Sequence, residues 1–291
     1  VYQNLRAATI GFGEREEFKD PTLLGEGTNW QDEIFRTAPM HNHQINISGG
    51  SQNMKYSLSG GYQQQDGIVF GSDFERFSFR VNMDNDINKW LTTGLRASVA
   101  RTKQTNSVDG SGAIYNALNQ LPEVPARNPD GSFGMQTENM YGTYFSNPLS
   151  DLIQNENYSR STQVYVNAFA DIKLWKGLVF RTEYAANYNY NTGYRFTPSY
   201  DYEFFKQQSS ASRSAGNGSN WTLKTYLTYN GTFGKHNVSV MAGHEAQENN
   251  WESLDGSRTN FLFNSVHELN AGDAKPTAHA VHPPSSLTSA V

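Results

Sequence analysis

Aromatic side chains in two long stretches between predicted strands are the residues of this sequence best suited to bind a ligand. A Tyr or Phe ring offers a flat apolar surface and a Tyr hydroxyl adds a hydrogen-bonding group, so such residues can contact sugar rings or a partner protein. The candidate ligand or partner contacts are Tyr141, Tyr144, Phe145, Tyr194, Phe196, Tyr200 and Tyr202. The alternative is that these rings pack the loops together or extend an aromatic girdle on the lipid side.

Patterns for metal binding and catalysis are weaker. His41 and His43 share one face of an extended segment, but no third ligand stands at a fixed spacing, which favours histidines at a strand entry. Asp84, Asp86 and Asn88 alternate as in a calcium loop, yet Lys89 stands where that loop needs Gly. No Ser/His/Asp arrangement or carboxylate pair has distinguishing context. We therefore assign no catalytic residue, metal or cofactor, and we do not expect an enzyme.

Composition favours strands over helices. The 291 residues are 36% hydrophobic and only 18% charged, whereas aromatic residues reach 13%. A strand that crosses a bilayer needs only about 9–11 residues with half of them facing lipid, so the mean hydropathy of −0.67 is compatible with a membrane protein. No run approaches the roughly 20 apolar residues of a transmembrane helix. The net charge of −5 is scattered, which argues against a nucleic-acid partner.

Residues 44–106 show the pattern on which the fold prediction depends. Four runs alternate apolar or small residues with polar ones, as in Tyr56, Leu58 and Gly60, and later in Leu95 and Ala97. Successive strand side chains point to opposite faces, so the pattern predicts a sheet with one apolar and one wetted face. Similar runs begin near Val164, Leu178, Leu223 and Val238. They bring the predicted number of strands to about eight.

The predicted connectors alternate in length. Those after strands one, three, five and seven are a few residues long, whereas those after strands two, four and six are longer, including 105–158 and 191–220. In an up-and-down meander this places all short turns at one end, as in outer-membrane barrels with short periplasmic turns. Trp90, Trp175 and Phe233 lie in or near the short turns, where an interfacial aromatic belt is expected. The sequence therefore predicts an all-β, antiparallel up-and-down transmembrane β-barrel, present in part.

Three regions follow from these patterns. Residues 1–40 are predicted to be an irregular lead-in with one short helical turn capped by Asn29, residues 41–273 the partial barrel, and the Pro- and Ser-rich residues 274–291 a disordered tail. No signal peptide is visible after Val1, so we expect a mature or truncated segment. A truncated or frame-shifted gene would account for the predicted tail.

Several stretches, in order and without large gaps, resemble the SusC/RagA family of TonB-dependent outer-membrane transporters. They are NWQDEIFRTA (29–38), ISGG (47–50), YSLSGGY (56–62), DGIV (66–69), FERF (74–77), NPDGS (128–132) and LNAGD (269–273). The resemblance extends over 29–275. It implies about eight strands of a larger, 22-stranded barrel, without the plug and the TonB-contacting segment that complete members carry.

The resemblance implies a role in a TonB-dependent nutrient importer of the bacterial outer membrane. In this family the barrel imports glycans, or sometimes peptides, together with a SusD-like surface lipoprotein and with energy from the TonB complex. Outer-membrane lipid would surround the barrel. Two other hypotheses remain open: a soluble carbohydrate-binding β-sandwich, and a truncated fragment without function whose exposed edges would favour aggregation.

Overall fold

A computed structural model describes residues 25–106, 112–136, 144–201, 206–273, 277–281 and 286–290. One antiparallel sheet contains eight long strands, each paired with the next long strand along the chain. They are β1 (Met40–Gly50), β2 (Met54–Asp66), β3 (Ser72–Asp86), β4 (Leu91–Asn106), β5 (Glu156–Trp175), β6 (Leu178–Thr197), β9 (Ser210–Phe233) and β10 (His236–Thr259). The remaining short strands are β7 (Tyr200–Asp201), β8 (Lys206–Gln207), β11 (Thr277–Val281) and β12 (Ser286–Ala290). The predicted up-and-down meander of about eight strands is confirmed.

The register places the apolar positions of successive strands directly opposite one another. One row of paired residues crosses the sheet through Ile47, Leu58, Val81, Ala97, Val166, Ala186 and Trp221. Paired residues of an antiparallel ladder point to the same side, so this row lies on one surface, called here the apolar face. The intervening residues form the polar face on the other side.

The apolar face is exposed rather than packed against a second layer. Ile45 is 69% exposed and Val240 is 57% exposed, although both are large apolar residues in regular strands. All eight long strands belong to a single sheet in the described part of the chain. A β-sandwich would bury these side chains between two sheets. The β-sandwich alternative is therefore wrong.

The connectors sort to the two ends of the sheet as predicted. Residues 51–53, 87–90, 176–177 and 234–235 form the short turns, whereas 67–71 and the described parts of 107–155 and 198–209 lie at the opposite end. At residues 87–90 the Asn88 side chain accepts hydrogen bonds from the Trp90 and Leu91 N–H groups, both at 2.9 Å. Gly177 and Gly234 adopt left-handed φ values of +79° and +63° in the two tightest turns.

The strands extend further than predicted. Residues 191–220 are predicted to be a long connection, but β6 continues to Thr197 and β9 begins at Ser210. The first half of β9 carries mostly Ser, Asn and Gly, so it shows no alternation of large apolar residues, whereas Tyr190, Tyr194 and Phe196 continue the apolar face of β6. The connection is therefore residues 198–209, which contain the β7–β8 hairpin.

Both flanks of the sheet also differ from the prediction. The prediction of a disordered tail is wrong for β11 and β12. Both strands pair with β10, with Val281 opposite Ser253 and Ala290 opposite Glu245. The edge of β10 offers unpaired backbone groups, and a segment without strong side-chain preferences can satisfy them. In the lead-in, α1 (Trp30–Ile34) follows Asn29, whose side chain donates to Asp32 instead of capping a backbone N–H. Residues 1–24 lie outside the described ranges.

Two further helices interrupt the longest connection, α2 (Ala113–Asn119) and α3 (Pro148–Gln154). None of the described helices has the length and apolar character required to cross a membrane.

Candidate functional site

The three helices form a small domain at the end of the sheet that carries the long connections. Its buried core consists of Trp30, Ile34, Val69, Ala113, Ala117, Val124 and Leu152. The Trp30 indole donates to the Leu121 carbonyl at 3.1 Å, and Thr28 donates to the Val124 carbonyl at 2.7 Å. The lead-in and the longest connection are thereby joined into one unit, called here the helical cap.

Buried polar side chains hold the irregular backbone of the cap. Asn147 accepts hydrogen bonds from the N–H groups of Leu149 and Ser150 at the start of α3. Its amide donates to the Ala126 and Gly134 carbonyls at 3.0 and 2.9 Å. This one side chain therefore caps α3 and holds two loop segments in place. Its oxygen and its amide group both have hydrogen-bond partners inside the cap, as a buried polar group requires.

Asp151 joins α2 to α3. Its carboxylate accepts hydrogen bonds from the Ser146 hydroxyl and from the Asn116 amide, the latter at 3.1 Å. Burial raises the pKa of Asp151 to about 6, and the hydrogen bonds from Ser146 and Asn116 oppose that shift without cancelling it. The carboxyl group is therefore more basic in the folded cap than in an unfolded chain.

The raised pKa predicts a pH-dependent cap. Between pH 4 and 6 the folded cap binds more protons than the unfolded segment, so its free energy of unfolding falls as pH rises through this window, by on the order of 2–3 kcal/mol. Hydrogen exchange of the α2 and α3 amides should be slower at pH 4.5 than at pH 7, after correction for intrinsic rates. We expect Asp151→Asn to remove this dependence. The exposed Asp130 provides the control, since Asp130→Asn should preserve it; an unchanged pH dependence in Asp151→Asn would contradict the assignment.

The aromatic candidates of the first long connection lie beside the cap. Tyr144 is 38% exposed, and the Phe145 ring meets the Tyr115 ring edge-on at 6.0 Å between centroids. The Gln120 amide donates to the Phe145 carbonyl at 3.0 Å, which fixes this stretch of backbone against α2. Tyr141 lies outside the described residues. Of the candidates in this connection, Tyr144 is therefore the one shown to reach solvent.

The candidates of the second group are placed differently from the prediction. Tyr194 and Phe196 belong to β6 rather than to a loop, and Phe196 is only 1% exposed. The Phe196 ring stacks on His267 at 4.0 Å and meets Phe261 edge-on at 5.8 Å. Tyr200 is also buried, in β7, and Tyr202 lies outside the described residues. The Tyr194 and Phe196 rings pack against the segment after β10, which is the packing alternative considered above.

The polar face lines an open cavity of about 570 Å³. Polar side chains from seven neighbouring strands contribute to its surface, among them Gln44, Arg76, Arg80, Gln163, Asn187 and Asn220. The cavity shows that the sheet curves with its polar side inward. Such a surface can form hydrogen bonds with a hydrated solute, whereas the opposite apolar surface cannot.

A charged cluster lies on the polar face near the short turns, and sequence reasoning missed it. The Phe169 ring lies between two guanidinium groups, Arg181 at 4.1 Å and Arg96 at 5.8 Å from its centroid. Asp84 binds Arg96 through both oxygens at 2.7 and 2.8 Å, and Asp171 lies 3.5 Å from Arg181. The arrangement, called here the Phe169 cluster, connects β3 to β6 and keeps an apolar ring on the wetted side.

The cluster also explains the calcium-like spacing. Asp84 belongs to the ion pair with Arg96, Asp86 accepts a hydrogen bond from Thr92 at 2.6 Å, and Asn88 shapes the turn. His41 and His43 have parallel rings 6.4 Å apart. Among the residues whose positions are described, no group of three or more His, Asp or Glu side chains could hold a metal ion.

Large aromatic side chains mark the short-turn end. Trp175 is 80% exposed, and Trp90 and Phe233 are also exposed at the neighbouring turns. Aromatic rings at this position are typical of the interface between a bilayer and water.

Relatives with sequence similarity are TonB-dependent receptors. The chain is 31% identical over 265 residues to TonB-dependent receptor P3 of Formosa agariphila, which covers 88% of this chain and 26% of that protein. It is 30% identical over 186 residues to TonB-dependent receptor SusC of Bacteroides thetaiotaomicron, covering 62% of this chain and 18% of SusC. The chain thus spans about a quarter of the length of receptor P3 and of a second TonB-dependent receptor of the same organism, P26. No family model matches the sequence.

Solved structures share the fold. The RagAB peptide importer in its closed-closed state matches with a TM-score of 0.72 and 22% identity, over 90% of this chain and 30% of the matched chain. The open-open state matches with a TM-score of 0.73 and 21% identity, over 89% and 30% respectively. The relatives thus make this chain a fragment of a SusC/RagA-type TonB-dependent receptor, and the solved structures share the fold of this segment of the barrel wall.

Proposed function

We propose that this chain forms part of the wall of an outer-membrane importer that takes up large nutrients with energy from the TonB complex. The carrying observation is the sheet itself, which has a continuous exposed apolar face on one side and a polar cavity on the other. In such a wall the backbone N–H and C=O groups of each strand pair with those of the neighbouring strands, so none is left unpaired in the membrane. The wall presents apolar side chains to lipid and polar side chains to water.

Cargo and partners are part of the same proposal. The family resemblance implies glycans or oligosaccharides as cargo beside a SusD-like surface lipoprotein, and we propose these first. The match to the fold of the RagAB peptide importer supports peptides as the second cargo class. The helical cap stands at the end of the sheet with the long connections, where a lipoprotein or cargo would approach. Tyr141, Tyr144 and Phe145 are our proposed contacts there. Tyr194, Phe196 and Tyr200 would act indirectly, by holding the rim in place, because their rings are buried.

Single cysteines test the membrane placement, since this chain contains no natural cysteine. Ala97 and Ser98 are adjacent in β4 but point to the apolar and polar faces respectively. In the full-length protein, purified from outer membranes and reconstituted, a spin label on Ala97→Cys should be accessible to oxygen and shielded from a water-soluble nickel chelate. A label on Ser98→Cys should show the reverse. Equal nickel accessibility at both positions would contradict a lipid-facing wall.

Growth separates the two cargo classes. A strain that lacks the full-length gene should lose growth on an oligosaccharide as sole carbon source and keep growth on peptides if glycans are the cargo. Reintroducing the full-length gene should restore growth, and this restoration should require an intact TonB complex. If the deletion strain loses growth on peptides but keeps growth on the oligosaccharide, peptides are the favoured cargo class.

A further inference from the structure

Three cations lie together on the apolar side of the sheet, and among the described residues none of them forms an ion pair with a carboxylate. Lys103 of β4 and Arg160 of β5 are directly opposite each other in the ladder, and Arg101 precedes Lys103 by two residues on the same face. Arg101 and Arg160 are exposed. Like charges directly opposite in a sheet repel each other and lower its stability. We therefore expect an external anion to complete this group, called here the cationic triad.

The described carboxylates near the triad offset part of its charge but form no ion pair with it. Glu75 is opposite Lys103 on the other neighbouring strand, where its carboxylate accepts a hydrogen bond from the Tyr62 hydroxyl at 3.2 Å. One negative charge therefore faces three positive charges, and a net positive charge remains. Asp66 and Asp73 are opposite each other beyond Glu75. Within the described part of the chain, no ion pair joins any carboxylate to the three cations. Arg160 instead lies 5.1 Å from the centroid of the Tyr158 ring.

The height of the triad fits a membrane surface. Arg101 and Lys103 lie about 28–33 Å beyond Trp90 along the barrel axis, for a rise of ~3.3 Å per residue and a tilt of ~40°. The apolar band of an outer-membrane barrel is about 25 Å tall. Below the triad the same face carries Val99, Ala97 and Leu95, and beside it Phe77 stacks obliquely on Tyr62 at 4.7 Å. The cations therefore follow directly after the apolar band and its aromatic border.

We propose that the cationic triad binds the phosphate groups of the glycolipid of the outer leaflet, lipid A. Two guanidinium groups and one ammonium group provide charge-assisted hydrogen bonds to phosphate oxygens, and the acyl chains lie along the apolar residues below. Binding relieves the repulsion between Lys103 and Arg160. This inference depends on the proposed outer-membrane function, because it requires the apolar face to contact lipid.

Native mass spectrometry of the delipidated full-length receptor in detergent, titrated with purified lipid A, tests the proposal. We expect the variant Arg101→Gln/Lys103→Gln/Arg160→Gln to bind phosphorylated lipid A about 100-fold more weakly than wild type, and Lys103→Gln alone about fivefold more weakly, at about 1 kcal/mol per charge. The matched control Arg76→Gln/Arg80→Gln removes two cations from the polar face and should bind as wild type does. Dephosphorylated lipid A should bind wild type as weakly as phosphorylated lipid A binds the triple variant.

Two results would overturn the inference: unchanged affinity in the triple variant, or equal affinity of wild type for both forms of lipid A. If the triple variant does not assemble, Lys103→Gln decides the question, because it removes the repulsion with a single change. The cysteine labels at positions 97 and 98 distinguish the two proposals. A water-exposed Ala97→Cys label rejects the membrane function, whereas a lipid-exposed label with unchanged lipid A affinity rejects only the lipid A site.

Discussion

Leu58→Arg should strongly reduce the amount of full-length receptor that assembles in the outer membrane. Leu58 stands in the middle of the apolar face, opposite Ile47 on one side and Val81 on the other. A cation at the midplane of a barrel's lipid face costs about 2–4 kcal/mol. Neither neighbour can accept a hydrogen bond from the new guanidinium group through its side chain. The measurement is the folded fraction in the membrane, from heat-modifiable electrophoretic migration and from urea unfolding in lipid.

Ser57→Arg is the matched control, because it places the same charge one residue away on the other face. Ser57 is opposite Ser48 and Asn82, both polar and uncharged, and its side faces the wetted interior. We expect this variant to assemble like wild type and to unfold within about 0.5 kcal/mol of it. Equal losses in both variants would show that β2 does not separate lipid from water, and that the proposed membrane placement is wrong.

Alternation predicted the part of the fold in which the two sides of the sheet differ. Ile47, Leu58 and Val81 are distant in sequence, yet each follows the period of two, and the ladder places them side by side. The pattern failed at the start of β9. Residues 210–220 are mostly Ser, Gly and Asn, Ser214 is opposite Gly193, and no stripe of large apolar residues indicates a strand. There the backbone ladder alone continues the sheet, and backbone hydrogen bonds leave little trace in residue type.

The candidate site was predicted less well because its contacts are non-local. From its residue type and an expected loop, Phe196 was predicted to contact a ligand. Its ring is instead buried against His267 and Phe261, which belong to the segment that follows β10. The Phe169 cluster was missed for a related reason. Phe169 breaks the alternation as an apolar residue on the polar face, and that departure was the available signal. Its two arginine partners come from other strands and could be identified only from the register.

Gly94→Ala should destabilise the barrel wall through the Phe169 cluster. A Cβ at position 94 would overlap the ring carbons of Phe169 and lie 2.8 Å from an Asp84 oxygen. The ring fills the space beside Gly94 between Arg96 and Arg181, so the extra methyl group must displace it. Overpacking of this kind costs about 1–3 kcal/mol. We expect a loss of that size in the free energy of unfolding of the full-length receptor, measured in urea.

Gly60→Ala is the matched control, since Gly60 is also a strand glycine but has no described atom within 4 Å of an added Cβ. A methyl group there should be neutral or slightly stabilising, because alanine reduces the conformational entropy of the unfolded chain. Similar losses in both variants would mean that the strands require glycine for backbone reasons, and the contact with Phe169 would then not be the cause.

A double-mutant cycle can assign the loss to the ring itself. Phe169→Ala removes the overlap together with the two contacts to guanidinium groups, so it should destabilise the wall when it is made alone. In that background the methyl group of Gly94→Ala enters vacated space, and its additional cost should fall close to zero. The coupling energy should then reach about 1–3 kcal/mol, within the range found for residues in contact. Additive losses would contradict this explanation. If the methyl group of Gly94→Ala does not displace the Phe169 ring, removing that ring cannot reduce its cost, and the strain must lie elsewhere in β4.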